Sequence, residues 1–505
     1  MNNKIISFNE ATRRVQEYKN EGKKVVLCYG VFWALHIGHI RYIKQAKKIG
    51  DAVVVVITPG NHADTEKRKY YESLRAEALA QLDWIDAVTV DTCSNFKEMV
   101  RRLRPDVYAK GFESVHSYDN SNHNSKEEEF FQNLGIQYII VEEGDFSSST
   151  QINQYLHGVS SDVLEYICLF KQRHKLDDIM RSLEKLQRFN VLVIGDTILD
   201  EYQYCSAIGK SSKDPTLVVK YQGSELFAGG ALAVANNVAN FAKRVDLVSV
   251  LGERDSYEEF IRSKLQSNIS PLFAFKGGAP TLIKRRFVDG YSAQKLFEVY
   301  VMEDSFIEED HDRKLCEIVC EKMHHYDLVV VADYGHGTIS ENMIDALTTY
   351  APFLSVNTQS NAGNRGFNTI TKYPKADYVS IAEHEIRLET RDLVGGILPM
   401  MSRLVRDLST RQFVVTRGRK GCMVLSNQGE FVQVPSFAQN VVDRVGAGDA
   451  FFALTSMFSA VGVPNEVLGF VGNVIGSFAV KIMGNRDSID KDLVKNYIYE
   501  LLGDV

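Results

Sequence analysis

From Lys24 onward the chain alternates short β-rich runs with helical stretches, and this alternation leaves few folds open. VVLCYG leads into a helix from His36 to Ile49, AVVVVIT into a helix from Glu72 to Leu82, and DAVTVD into a helix near Phe96 to Leu103. VYAKG, a helix near Lys126 to Leu134 and IQYIIV complete the series. Strands that alternate with helices imply a parallel α/β sheet, because each parallel pair needs a crossover connection. The five strands predict one compact Rossmann-like domain that ends in the Ser147–Thr150 loop, and residues 1–158 are assigned to it. The polar stretch from Ser114 to Ser125 reads as a surface loop.

Residues 159–188 read as helical, with apolar positions at Val163, Ile167 and Phe170 and again at Leu176, Ile179, Leu183 and Leu186. They are assigned as a helical linker. At Asn190 the pattern restarts with VLVIGD and runs on through VVVADYG at 329–335 and FVVTRG at 413–418, so residues 189–505 are expected to form one large α/β domain. A chain of 505 residues has room for two or three such units, each with its own core.

The balance of 58 Lys+Arg against 65 Asp+Glu carries neither a nucleic-acid footprint nor a polybasic membrane anchor, which points to small-molecule partners. MNNKIISFNEATRRVQEY has no apolar core of a leader peptide. The densest apolar stretch, Phe451 to Val463, is too short for a membrane span and reads as a core helix. Seven scattered cysteines without a CxxC pair suit a reducing compartment, so a cytoplasmic location is expected. Cys316 and Cys320 have helical spacing but no companions for a zinc set, and His324, His325 and His336 complete no ligand pattern; no protein-held metal is expected.

YGVFWALHIGHIRYI places His36, Gly38 and His39 directly after a buried strand, where a helix begins. In an open α/β sheet ligands bind beyond the carboxyl ends of strands, and a helix N-terminus offers unpaired N–H groups to phosphate. Two imidazoles there can stabilise charge on an α-phosphate and pyrophosphate, while Gly38 lets a nucleotide approach the backbone. This segment resembles the GxFDxxHxGH signature of the cytidylyltransferase-like nucleotidyltransferases, with Gly30 and Phe32 in place. The resemblance implies that Arg75, Lys110 with Gly111, and Ser148, Ser149 and Thr150 line the nucleotide and its phosphates. Trp33 stands where that family has Asp, and an indole neither binds a cation nor accepts a hydrogen bond. Lys67, Arg68 and Lys69 are either a triphosphate lure or a solvated face. HIGH also marks class I aminoacyl-tRNA synthetases, but neither a KMSKS-type loop nor a basic anticodon domain accompanies it.

NVVDRVGAGDAFFALTSMF places Gly446, Ala447, Gly448 and Asp449 at the start of the apolar helix. Glycines there let N–H groups converge on a phosphoryl group in flight, and a neighbouring carboxylate can take the proton from an attacking hydroxyl. VIGDTILDEY and the diglycine Gly229-Gly230 precede it in an order that resembles the ribokinase-like, phosphofructokinase B sugar kinases. By that resemblance Asp196, Asp200, Gly229, Gly230, Asp333 and Glu385 bind the substrate. Asp443 with Gly446, Ala447 and Gly448 forms the anion hole, and Asp449 is the base. Thr416, Gly418 and Gly421 lie near the nucleotide, and Gly337 belongs to the ADYGHG element. Ala233 and Ala382 stand where asparagines are expected, and Asn357-Thr358-Gln359 replaces an Asp-Pro-Lys stretch. GKSS at 209–212 is not a P-loop, because Tyr204 stands where the first glycine is needed.

The pair of modules resembles the bifunctional heptose-7-phosphate kinase/heptose-1-phosphate nucleotidyltransferase family with the domain order reversed. The resemblance implies a bifunctional enzyme of nucleotide-sugar synthesis for cell-surface polysaccharide. One module phosphorylates a sugar or sugar phosphate with ATP, and the other couples a sugar 1-phosphate to a nucleotide from ATP or CTP, releasing pyrophosphate. It further implies Mg²⁺ carried in on the nucleotide and a homo-oligomer. The replaced pocket residues leave a second reading, in which one module is active and the other is a degenerate binding or scaffolding domain.

Overall fold

The structure, a computed structural model, describes residues 4–30, 32, 35, 37–58, 65–93, 95–111, 128, 130–141, 161–291, 294–303, 305–439 and 441–503. The backbone divides into two compact units, residues 1–158 and 159–504.

Among the described residues of the first unit five strands, β1 (Val25–Gly30), β2 (Ala52–Ile57), β3 (Ala87–Val90), β4 (Val107–Gly111) and β5 (Gln137–Val141), lie in the order β3-β2-β1-β4-β5. All neighbouring pairs are parallel. β2 is apolar and buried at every position because both its faces are covered. Val26, Cys28, Val53 and Val55 face one core layer with the helices Ile37–Ile49 and Thr65–Ala80. Val25, Leu27, Val54 and Val56 face the other, with Phe8–Asn20 and Phe96–Leu103. Helix Phe96–Leu103 starts where Asn95 accepts from the Glu98 N–H at 3.0 Å and stops at Arg104 in the left-handed region, φ 48°. Helix Thr65–Ala80 begins well before Glu72, so the periodicity marks its buried end and not its start.

The second unit opens with the helices Ser161–Arg173 and Leu176–Leu186. Val163, Ile167, Phe170, Ile179, Leu183 and Leu186, the stripe read from the sequence, pack into this unit's main core. Thirteen strands follow among the described residues: β6 (Asn190–Gly195), β7 (Thr197–Lys210), β8 (Leu217–Gly230), β9 (Arg244–Arg254), β10 (Ile269–Pro280), β11 (Ile283–Asp289), β12 (Lys295–Val301), β13 (Leu328–Asp333), β14 (Leu354–Thr358), β15 (Tyr378–Ala382), β16 (Gln412–Thr416), β17 (Cys422–Ser426) and β18 (Phe431–Val434). Nine form one sheet, β10-β9-β6-β13-β14-β15-β16-β17-β18, and four form a second, β12-β11-β7-β8. Alternate residues of β6 and β13 again feed two core layers, Val191, Val193 and Val330 on one side and Leu192, Ile194 and Val331 on the other. The helix Ala447–Val461 is apolar nearly all round and buried along most of its length, in keeping with a central position.

The four-stranded sheet projects as a lid, and its register sets what it turns toward the body of the unit. Phe227, Asp200, Lys284 and Tyr300 are lateral partners across β8, β7, β11 and β12, so their side chains share one face. Two residues further, Glu225, Tyr202, Arg286 and Glu298 form the next row on that face. The GKSS segment lies at the end of β7, at the tip of its hairpin with β8.

Candidate functional site

Each parallel sheet has one place where consecutive crossovers leave in opposite directions, and ligands bind there beyond the strand ends. In the first unit that place lies between β1 and β4. Gly30 ends β1, and the next described residue, Phe32, is buried with φ 49°, so the backbone turns sharply at the strand mouth. The Phe32 ring lies 5.0 Å from the His39 imidazole, which fixes His39 in the first turn of its helix. Gly38 lies in the same turn. Lys110 and Gly111 end the adjacent strand β4, and the Tyr42 hydroxyl ties the helix to that strand through the Ala109 carbonyl at 2.6 Å. Arg75 is buried and donates to the Thr58 carbonyl at 3.2 Å; burial lowers its pKa, with Glu72 opposing. His36, Trp33, Ser148, Ser149 and Thr150 lie outside the described residues, as do the side chains of Lys67, Arg68 and Lys69.

In the second unit the corresponding place lies between β6 and β13. Asp196 follows β6, and its carboxylate spans the gap: Oδ2 accepts from the N–H groups of Tyr334 (2.9 Å) and His336 (3.2 Å), Oδ1 from that of Thr338 (3.0 Å). Asp333, at the end of β13, is fully buried and held by the Tyr373 hydroxyl at 2.5 Å and Lys372 at 2.6 Å. Both acids therefore shape the loop that carries Tyr334. Gly335 and Gly337 take positive φ in that loop, where a side chain would strike Asn364 or the Ser305 carbonyl.

Tyr334 delivers its hydroxyl to Asp449 at 2.7 Å, and Gln359 at the end of β14 donates its amide to the same Oδ1 at 2.6 Å. Asp449 sits in the first turn of Ala447–Val461, behind Gly446, Ala447 and Gly448. Burial pushes its carboxyl up to about 6; Asp200 adds to the rise, while Tyr334, Gln359 and Lys284 oppose it. Gly446 has φ 80° and touches Asn485, so it serves the turn, whereas a Cβ on Gly448 would meet nothing within 4 Å. The helix start is therefore open in front of Gly448. Asp443 is closed by Lys295 at 2.8 Å, the Tyr202 hydroxyl at 2.5 Å and the Gly484 N–H at 3.0 Å.

Asp200 is ion-paired with Arg286 and accepts from Asn485 at 3.3 Å. Gly229 abuts Asp200, and Gly230, with φ 57°, abuts the Asp196 carbonyl, so a side chain on either would displace an acid of the site. A cleft of about 610 Å³ opens beside these glycines, bordered by Phe227, Ala228, Ala233, Asn237, Asn485 and Arg486. Ala233 thus places a methyl on that wall. Glu385 reaches back to the N–H groups of Ala382 (2.7 Å) and Ser360 (3.0 Å), and burial raises its pKa. Thr416 ends β16; Gly418 and Gly421 follow at positive φ, and Gly421 lies tight against the Val434 carbonyl.

Sequence reasoning singled out Asp449 and its glycines but missed Tyr334, Lys284, Arg286 and Lys295. Gln359 was noted as a replacement, yet its bond to Asp449 was not foreseen. The signal for Lys284 and Arg286 was LIKRRFV, a strand that carries cations at alternate positions. Among the described residues no group of three or more His, Cys, Asp or Glu is placed to hold a metal ion, and no helix is long and apolar enough to cross a membrane.

A wide α/β sheet, a four-stranded lid and a buried acid at a glycine-led helix start define a fold of the sugar-kinase class. The chain belongs to the pfkB family of carbohydrate kinases, whose model matches residues 188–492, and residues 27–155 match the cytidylyltransferase-like model. Curated relatives include the bifunctional protein HldE of Syntrophotalea carbinolica, 27% identical over 61% of this chain and 62% of its own. HldE of Bradyrhizobium diazoefficiens is 28% identical over 58% of this chain and 60% of its own. The chain spans about three fifths of the length of these relatives. Phosphofructokinase-2 from Escherichia coli, solved with fructose-6-phosphate, has the same fold over 62% of this chain and 99% of its own, at 16% identity and a TM-score of 0.50. Its tetrameric inhibited form gives the same TM-score and coverage, also at 16% identity.

Proposed function

We propose that the chain is a bifunctional sugar-activating enzyme. Its C-terminal unit moves the γ-phosphoryl group of ATP to a hydroxyl of a sugar or sugar phosphate. Its N-terminal unit joins a sugar 1-phosphate to a nucleotidyl group from ATP or CTP and releases pyrophosphate. The observation that carries the reading is Asp449: a buried carboxylate whose pKa near 6 suits a general base, one residue beyond the open backbone of Gly448. In the forward step Asp449 takes the acceptor proton as the hydroxyl oxygen bonds to phosphorus and ADP leaves. The N–H groups at the helix start receive the equatorial oxygens. In the N-terminal unit His39, braced by Phe32, is placed to stabilise charge on the phosphates at the β1–β4 mouth, together with Lys110.

The residues present fit Mg²⁺ that arrives with the nucleotide. Glu385 and Asp449 are close enough to influence each other's ionisation, and both carboxylates keep lone pairs for water around such an ion. When bound, the ion supplies charge neutralisation to the phosphates. A cytoplasmic location and a homo-oligomer complete the proposal, the latter in keeping with the tetrameric form of phosphofructokinase-2. ADP formation and pyrophosphate release, followed separately in wild type, His39→Ala and Asp449→Asn, test the two halves. Phosphoryl transfer that survives Asp449→Asn refutes the kinase assignment, and absence of pyrophosphate with every sugar 1-phosphate and nucleotide leaves the front unit a binding domain.

A further inference from the structure

The chain passes between the lid and the body of the second unit at one end of the lid. Asp196 leads into β7, β8 runs from Gly230 into the helix Ala231–Ala239, β11 follows β10 after two residues, and β12 leaves at Val301. Leu199, Ile283 and Val301 form the row at this base. Tyr202 lies three residues out along β7 and Lys295 six residues out along β12, about 10 and 20 Å of strand at about 3.3 Å per residue.

Both side chains end on one carboxylate of the body. Asp443 Oδ1 accepts from the Lys295 ammonium at 2.8 Å, and Oδ2 from the Tyr202 hydroxyl at 2.5 Å. The same group holds the turn that it begins: Oδ1 also accepts from the N–H groups of Arg444 (2.7 Å) and Val445 (3.2 Å), and Oδ2 from that of Gly484 (3.0 Å). One carboxylate thus joins two donors of the lid to three of the body. Just beyond them Gly446, Ala447 and Gly448 open the helix that carries Asp449.

The Asp443 side chain is only 5% exposed, so its charge needs the compensation that Lys295 brings. Burial alone would raise its pKa; the bonds from Lys295, Tyr202 and Gly484 outweigh burial and hold the carboxyl below the ordinary carboxylate range. Without the lid's cation this carboxylate must turn toward water, and Arg444 and Val445 then lose the acceptor that fixes them. The position of Lys295 matters as well. A tie far from the base fixes the tilt of the sheet more tightly than one beside it, because a given tilt moves the outer point further.

We propose that Lys295 and Tyr202 are positioning residues for phosphoryl transfer: they share Asp443 between the lid and the turn at 443–448, so the helix-start amides come into place when the lid lies against the body. The proposal rests on the kinase reading of this site and adds to it how enclosure of an acceptor is coupled to assembly of the anion pocket.

Amide hydrogen exchange of the full chain, resolved by mass spectrometry with electron-transfer fragmentation, tests the contact in wild type, Lys295→Met, Lys295→Arg and Tyr202→Phe. Lys295→Met is expected to speed exchange at Arg444, Val445 and Gly484 by about 10-fold or more while β13 and β14 keep their wild-type rates, and Lys295→Arg to restore most of the protection. Phosphoryl transfer from ATP to hexoses and hexose phosphates tests its use. Lys295→Met should lower kcat by about 30-fold or more with the acceptor KM within about 3-fold of wild type, because the anion pocket acts on the phosphoryl group in flight. Unchanged exchange at these amides overturns the inference, as does a loss confined to KM, which would make Lys295 an acceptor contact. If Lys295→Met speeds exchange throughout the unit, Tyr202→Phe, which keeps the ring, is judged by the same criteria. Should wild type phosphorylate no acceptor, the kinase reading and the catalytic use of the contact fall together, and exchange alone decides whether the lid holds the turn.

Discussion

The Tyr334 hydroxyl and Asp449 Oδ1 are 2.7 Å apart, and the phenol is the donor. With Gln359 donating to the same oxygen, Oδ2 is left without a hydrogen bond among the described residues and is the atom placed to take a proton. Because Asp449 must be ionised to act, kcat/KM for phosphoryl transfer should fall below an acidic limb near pH 6. Tyr334→Phe removes a bond that favours the carboxylate, so the limb should move to higher pH. Asp449→Asn should lower the rate by about 10²–10⁴-fold and abolish the limb. A limb that stays in place in Tyr334→Phe would contradict this account.

The same raised pKa has a cost in stability. A carboxyl that binds its proton more tightly in the folded state stabilises the fold below its unfolded pKa of about 3.8, and that contribution is lost as pH rises through about 6. At pH 7.5 the chain carries the penalty in full. Asp449→Asn should therefore raise stability there by about 1–3 kcal/mol, read as a higher urea midpoint, and the gain should shrink toward pH 4.

Gly448 and Gly421 should respond in opposite ways to alanine. At Gly448 the new methyl meets open space within a helix, so Gly448→Ala should fold normally and gain up to about 1 kcal/mol. Phosphoryl transfer should nevertheless drop by about 10²-fold or more, because the methyl stands where the phosphoryl group must approach. Gly421→Ala, at φ 79° and against the Val434 carbonyl, should cost about 2 kcal/mol or more and lower the melting temperature. Melting curves with matched ADP assays distinguish the two.

His39→Ala should lower pyrophosphate release by about 10²-fold. ADP formation should be untouched, since the two sites belong to separate compact units. Phe32→Ala, which removes the ring against His39, should lower the same activity by a smaller factor. A pyrophosphate rate unaffected by His39→Ala would take the imidazole out of the chemistry.

Much of the sheet framework is local and was legible. β1 and β2 are short apolar runs, β2 nearly all β-branched, and Phe96–Leu103 follows an Asn at its N-cap that the sequence displays. The lid was not legible. TILDEYQYCSAIGK mixes charged, aromatic and small residues because one face turns inward to polar partners, and β7 pairs with β11 across 84 residues, as in Leu199 with Ile283. Asp449 could be found because its glycines adjoin it in the chain. Tyr334 and Gln359 reach it from the ends of β13 and β14, and the charge of Lys284 on β11 is felt there; spacing in sequence does not record such convergence.

A single residue, Asp196, separates β6 of the large sheet from β7 of the lid, and its carboxylate grips the backbone of residues 334–338. The lid consequently has a stiff pivot. A tilt of β7 would pull on the strap that ends at the Tyr334 hydroxyl. The bond that holds the Asp449 carboxylate thus hangs, through the 334–338 strap, from the one residue that joins the two sheets.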